Sequence, residues 1–267
     1  MVKKILSIVL CAVVLVFIYA PILLLVVYSF TTSKVIGKWE GGFSFELYGQ
    51  LFRNAEIMQI LFNTVWLALA AAALSTVLGT AGAIGIFYSR RRTAKPLQAV
   101  SQIPVINAEI VTAISLALLF SAVLLYRTYF SLLIGHMVLC TPFVVLSVLP
   151  KLKQMDSNTY EAALYLGASP TQALFKIVLP QIFSGVLSGF MLSITLSLDD
   201  YIVTVYTRPS GFDTISTYVF NATIRGNAHT AETLSSFWAL TTIIFVVILI
   251  VVITANLAGR RRKEVGK

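Results

Sequence analysis

A chain of 267 residues that is 58% hydrophobic, only 12% charged and of mean hydropathy +0.88 is not a soluble domain, which carries about 25% charged and 45–50% apolar residues. Its net charge of +9 raises nucleic acid as a partner, but the placement of the basic residues argues against one. Two cysteines (Cys11 and Cys140) and two histidines (His136 and His229) supply neither a disulfide framework nor a zinc site.

Six stretches approach or exceed the ~20 apolar residues needed to cross a bilayer, at about 6–29, 61–88, 100–125, 130–150, 181–206 and 236–257. The first, MVKKILSIVLCAVVLVFIYAPILLLVVYSF, exceeds the ~7–15 apolar residues of a secretory h-region and lacks a clear small-residue cleavage site. It reads as a retained helix that also directs insertion. With the N-terminus inside and the loops alternating, 14 of the 20 basic residues face the cytoplasm. Only Lys34, Lys38, Arg53, Arg127, Arg208 and Arg225 face out. This bias places both termini in the cytoplasm and explains the basic balance as topology. No repeat and no linker divides the chain, so residues 1–267 are expected to form a single transmembrane domain.

The connections carry further signals. The first outer loop, 31–60, holds KWEGGFSFELYGQLF, with aromatics suited to a membrane interface. RRRTAKP at 90–96 is predicted to be a short basic turn on the inner face. The second large outer loop, 207–235, contains the tripeptide NAT at Asn221, too loose a pattern to carry weight.

The longest inner loop, 151–180, is too ordered to be a tether. Asn158 is placed as an N-cap with Glu161 completing a capping box, opening a helix over 159–166. Gly167 supplies a left-handed stop. Ser169 caps a second helix with Pro170 at its first position, and Pro180 is predicted to end it. The first helix is expected to show Ala162, Ala163, Leu164 and Leu166 to the cytoplasm. It is too short to stand alone in water, so it needs a groove to fill or must pack on the inner ends of its own spans.

The segment EAALYLGASPTQALFKIVLP, 161–180, resembles the loop signature of permease subunits of type I ATP-binding-cassette importers: EAA, three residues, Gly, nine residues, Ile, one residue, Leu-Pro. Glu161, Ala162, Ala163, Gly167, Ile177, Leu179 and Pro180 meet every fixed position. Among such permeases the chain is most similar to the spermidine/putrescine family, through YAPILLLVVYSF, EIVTAISLALLF, CTPFVVLSVLPKLK and TLSLDDYIVTVYT. Permeases for iron and phosphonate compounds share parts of these segments. The resemblance implies an all-α, MetI-like permease fold of six transmembrane helices in a bacterial cytoplasmic membrane. It makes the short helix a coupling helix, with Glu161, Ala162, Ala163, Leu166, Gly167 and Ala168 meeting a motor protein. The implied partners are two ATPase subunits, a second homologous permease and an extracytoplasmic substrate-binding protein. This chain has no Walker-type stretch, so it is expected to be non-catalytic, with no cofactor of its own. ATP and Mg would be bound by the partner ATPase.

Three carboxylates lie within predicted spans: Glu109, Asp199 and Asp200. Charge there costs enough to need a purpose, and a polycation crossing the bilayer would supply one. On a continuous helix over 181–206, Asp200 shares a polar stripe with Ser193, Ser197, Thr204 and Thr207, and so is predicted to face the pathway. Asp199 lies among Leu192, Thr195, Leu196, Val203 and Tyr206. Glu109, some nine residues into its span, is expected at a different depth, so the acids are staggered. Tyr201 and Tyr206 are candidates for cation–π contact. The structural alternative for each acid is pairing at a subunit contact. Acids alone do not select polyamine over ferric ion. Runner-up functions are an importer permease for another solute and an ion-coupled secondary transporter, which leaves the loop unexplained.

Overall fold

The structure, a computed structural model, describes residues 2–32, 42–225, 235–244, 246, 247 and 250. Lys34, Lys38, His229, the C-terminal basic cluster and the second half of the sixth predicted span lie outside them. The described residues form helices and no strand: α1 (Val2–Tyr28), α2 (Glu46–Arg53), α3 (Ala55–Tyr88), α4 (Arg91–Ile106), α5 (Glu109–Ala122), α6 (Tyr129–Gln154), α7 (Ser157–Tyr165), α8 (Pro170–Ala173), α9 (Leu179–Asp199), α10 (Ile202–Thr207), α11 (Ile215–Arg225) and α12 (Ser235–Ile244). Four helical stretches are long and apolar enough to cross a membrane: Leu6–Tyr28, Ala55–Tyr88, Tyr129–Gln154 and Pro170–Asp199. A fifth span results if the bent pair α4 and α5 counts as one.

Two units are distinguished. One comprises Met1–Gln59 and Val219–Lys267. In it the Ser29 hydroxyl donates to the Val26 carbonyl at 2.7 Å, pairs with the Tyr48 hydroxyl at 2.9 Å and accepts from Thr242 at 2.9 Å. Tyr28 and Trp238 meet edge to face. Phe30 meets Phe43, Phe45 and Tyr48 of the first outer loop, so three of the aromatics predicted there gather on one ring, while Trp39 lies outside the described residues.

The second unit, Ile60–Tyr218, has its core where α3, α6 and α9 meet, with Ala83, Val144, Val148, Leu152, Val178 and Ile182 each fully or almost fully buried. Small residues permit this approach. A Cβ built on Gly79 would stand 2.6 Å from the Val144 Cβ and 3.0 Å from the Thr141 carbonyl oxygen. One built on Gly189 would stand 3.1 Å from the Val144 Cα. Along α9, Gly185, Gly189, Ser193 and Ser197 recur every fourth residue and are all buried. This small-residue ridge is the usual device for bringing membrane helices together, since lipid offers no hydrophobic drive for it.

Three predicted elements differ. The run RRRTAKP is not a turn: Arg91, Arg92 and Lys95 lie in the first turns of α4. The predicted span 100–125 is not one helix, because α4 ends at Ile106, Asn107 is extended (φ −75°, ψ 147°) and α5 leaves at 103° to it. Pro180 does not end its helix either. Residues Leu174–Val178 adopt one π-helical turn, in which the Leu179 N–H reaches the Leu174 carbonyl, and the helix continues to Asp199. The wider turn accommodates the proline ring and its missing donor at the start of α9.

Candidate functional site

The helix–glycine–helix elbow predicted from 151–180 is present, with adjustments. Its N-cap is Asp156, not Asn158: the Asp156 carboxylate accepts from the Asn158 N–H at 3.0 Å. The helix therefore starts two residues earlier than predicted, and Glu161 is not part of a capping box. At the other end Gly167 has φ +88°. Its N–H reaches the Leu164 carbonyl and the Ala168 N–H reaches the Ala163 carbonyl, both at 3.0 Å. That pair of bonds is a Schellman stop, which needs a left-handed residue at this position. Ser169 and Gln172 then form a reciprocal capping box under Pro170.

The elbow is held from one side only. Tyr160 packs on the α3–α6–α9 core and on the Tyr88 ring, and Ala163 is buried, so Ala163 does not face the cytoplasm as predicted. A helix anchored by one face turns residues three and four apart inward together, which is why Ala163 goes with Tyr160. Glu161, Ala162, Leu164 and Gly167 are exposed, Ala168 is half-buried, and Tyr165 and Leu166 are each 89% exposed. Two large apolar side chains thus stand free at the tip of a rigidly mounted helix.

The acids form the second part of the site. The span predicted over 181–206 is interrupted: α9 stops at Asp199, Asp200 is extended (φ −62°, ψ 125°) and α10 begins at Ile202. The cause is the Asp200 side chain, which accepts from the backbone N–H of Val203 at 3.2 Å and of Thr204 at 2.8 Å, and from the Thr204 hydroxyl at 2.6 Å. A short carboxylate competes in this way with the helical ladder, and it supplies the acceptors that the first turn of α10 lacks.

The polar stripe predicted for Asp200 exists, and it is buried within the fold. Ser193, Ser197, Asp200, Thr204 and Thr207 are all buried against α6. His136 of α6 sits fully buried among them, with Nδ1 2.8 Å from the Ser197 Oγ, Nε2 3.0 Å from the Thr204 Oγ1 and Nε2 3.4 Å from the Asp200 Oδ2. Ser131 donates to the Thr207 carbonyl at 2.9 Å. Asp200 is therefore an internal brace between α6, α9 and α10, because burial without these partners would be prohibitive. Asp199, its neighbour, is exposed.

Glu109 is not staggered from the aspartates. The bend at 107–108 makes it the first residue of α5, where the helix dipole favours a carboxylate. Because α5 packs on α10, the Glu109 carboxyl comes within electrostatic range of Asp200 and Asp199. Glu109 and Asp199 are exposed and Tyr201 is half-buried. Arg208, at the far end of α10, is engaged in an ion pair with Asp213. Two interrupted helices thus meet at a cluster of three carboxyl groups. Open backbone at membrane depth is tolerated only where it is buried in protein or lines a cavity. His136 carried no local sequence signal for this role; only its distance from the break reveals it.

Apolar helices of spanning length, two of them interrupted beside acids, define a multi-pass helical membrane protein. Residues 75–264 match the family model described as the binding-protein-dependent transport system inner membrane component, and the chain belongs to that family. It is 33% identical over 94% of its length to the spermidine/putrescine transport system permease protein PotC of Haemophilus influenzae, covering 95% of that protein. It is 32% identical to the putrescine transport system permease protein PotI of Escherichia coli K12, over 79% of this chain and 77% of that one. Its fold resembles a chain in the crystal structure of a bacterial ABC transporter involved in the import of the acidic polysaccharide alginate, with a TM-score of 0.74 at 17% identity over 95% of this chain and 96% of that one.

Proposed function

We propose that this chain is a non-catalytic permease subunit that carries polyamines inward, driven by ATP hydrolysis on a separate polypeptide. The observation that carries this reading is the elbow: a one-sidedly anchored helix with Tyr165 and Leu166 free is a lever awaiting a groove. Identity of 31–33% to spermidine/putrescine permeases over most of the chain supports the substrate class. Exposed carboxyls of Glu109 and Asp199 at a helix interruption suit an ammonium-bearing chain. In this reading both termini and the elbow are cytoplasmic. Two ATPase subunits bind ATP and Mg, a second permease completes the cavity and an extracytoplasmic binding protein delivers substrate. Glu161, Ala162, Leu166, Gly167 and Ala168 meet the motor, Ala163 holds the lever to the body, and Glu109, Asp199 and Tyr201 line the route.

Two measurements test it. In proteoliposomes holding the reconstituted complex, Gly167→Val should reduce ATP-dependent putrescine uptake at least about ten-fold while insertion and expression persist, since a β-branched residue is strained at φ +88°. Wild-type uptake by that variant, or accumulation by this chain without any ATPase, would refute the coupling reading. Separately, Asp199→Asn combined with Glu109→Gln should raise the KM for putrescine several-fold and leave the basal ATPase rate of the complex in place. An unchanged KM removes these two acids from the route.

A further inference from the structure

The basic run at the start of α4 and an apolar groove further along the same helix belong to one feature. The groove, of about 350 Å³, is lined by Leu78 of α3, Val100 and Pro104 of α4, and Met137, Pro142 and Val145 of α6. Its volume falls in the range of small-molecule sites, yet its walls are almost wholly apolar. Val100 is 61% exposed, so the groove opens to the outside of this unit. At 3.6 residues per turn, Thr93, Leu97, Val100, Ser101 and Pro104 fall within one sector of about 100° of α4, flanked by Arg90 at its head. From Thr93 to Pro104 this stripe rises about 16 Å, close to half the ~30 Å hydrocarbon core.

Charge at the head of the stripe lacks a counterpart. Arg90, Arg91, Arg92 and Lys95 are exposed, and none is in an ion pair among the described residues. No acidic residue occurs between Glu56 and Glu109. Four cations also stand at the N-terminal end of a helix whose N-cap, Arg90, makes no side-chain cap hydrogen bond. The dipole makes that end unfavourable for cations and favourable for an anion. Membrane proteins use basic sites beside apolar grooves to hold anionic lipid headgroups.

We propose that this groove is a binding site for an anionic phospholipid, with one acyl chain between α3, α4 and α6 and the headgroup phosphate against Arg90, which heads the stripe, with Arg91 and Arg92 on its two flanks and Lys95 on the far face of the helix. The inference rests on membrane embedding alone and is independent of the transported solute. The test places the assembled complex in phosphatidylcholine vesicles doped with either phosphatidylglycerol or further phosphatidylcholine bearing a photoreactive acyl chain, followed by peptide mapping. Phosphatidylglycerol should label residues 97–104 and 137–145 at least about five-fold more than phosphatidylcholine, the scale of one basic residue at a charged surface. Arg90→Gln with Arg91→Gln and Arg92→Gln should abolish that preference. Val100→Trp should block labelling in the groove with all four charges retained, and it decides alone if the triple variant inserts wrongly. Equal labelling by both lipids, labelling indifferent to Val100→Trp, or a groove labelled only when this chain is outside its complex (a protein neighbour then being the occupant) would each overturn the assignment.

Discussion

Asp200→Ala is expected to destabilise the permease by on the order of 3 kcal/mol, whereas Asp199→Ala next to it should leave stability within about 0.5 kcal/mol. The asymmetry follows from where the two side chains end. Asp200 is 5% exposed and accepts three hydrogen bonds, two from backbone N–H groups that open α10 and one from Thr204. Removing it leaves those donors buried and His136 Nε2 without its nearby carboxylate. An unmet buried donor costs about 1–3 kcal/mol, and the groups act as a network rather than singly. Asp200→Asn keeps one acceptor and should fall between the two. Thermal unfolding of the purified chain in detergent gives the ranking directly. An Asp200→Ala variant as stable as the wild type but defective in uptake would return this residue to the pathway.

The second large effect is expected at Gly79. Gly79→Ile should abolish accumulation of folded protein, and Gly79→Ala alone should cost about 1–3 kcal/mol. A Cβ there meets the Val144 Cβ at 2.6 Å and the Thr141 carbonyl oxygen at 3.0 Å, and neither atom can swing away as a side-chain tip would. Val144 also faces Gly189, where a Cβ would stand 3.1 Å from the Val144 Cα, so α9 leaves α6 little room to shift. If this geometry is right, Val144→Gly, which takes away the Cβ that the new methyl meets, should offset part of the loss in Gly79→Ala, giving a coupling energy outside the additive range of about 0.5 kcal/mol. Strict additivity of the two changes would mean that α3 and α6 are farther apart than the structure places them.

Local rules accounted for much of the elbow. Gly167 as the left-handed stop, Ser169 as a cap and Pro170 at the first helical position are all read from neighbours within four residues, and the structure has each of them. Of the two local errors, Pro180 as a helix stop and Asn158 rather than Asp156 as the cap, the second lies between two residues of similar capping strength two positions apart. Which face of α7 is buried was not local. Ala163 turns inward because Tyr160 docks on a core built by α3, α6 and α9, and none of those helices is near it in sequence except the end of α6.

The acids show the same division. That Ser193, Ser197, Asp200, Thr204 and Thr207 form one polar set follows from helical spacing, and all five do share one environment. The chain order says nothing of what that environment is. A polar stripe can face a water-filled route or another polar helix with equal consistency, and His136, some sixty residues away, settles the matter by filling it. Treating 181–206 as unbroken missed the interruption, because no proline or glycine marks it. The break comes from a side chain satisfying the backbone.

Composition and apolar run length by themselves determined that this is a multi-pass helical membrane protein, since the cost of burying backbone in lipid leaves helices as the way to satisfy such segments. Spacing of caps and glycines likewise determined the elbow. Tertiary structure alone decided that Glu109 comes near Asp199 and Asp200, that Asp200 is buried as a brace between helices, and that α4 carries Arg90 at the head of an open groove. Each of those depends on which helices approach which, and that is governed by pairs of residues such as Gly79 and Val144 that only the folded chain brings within contact.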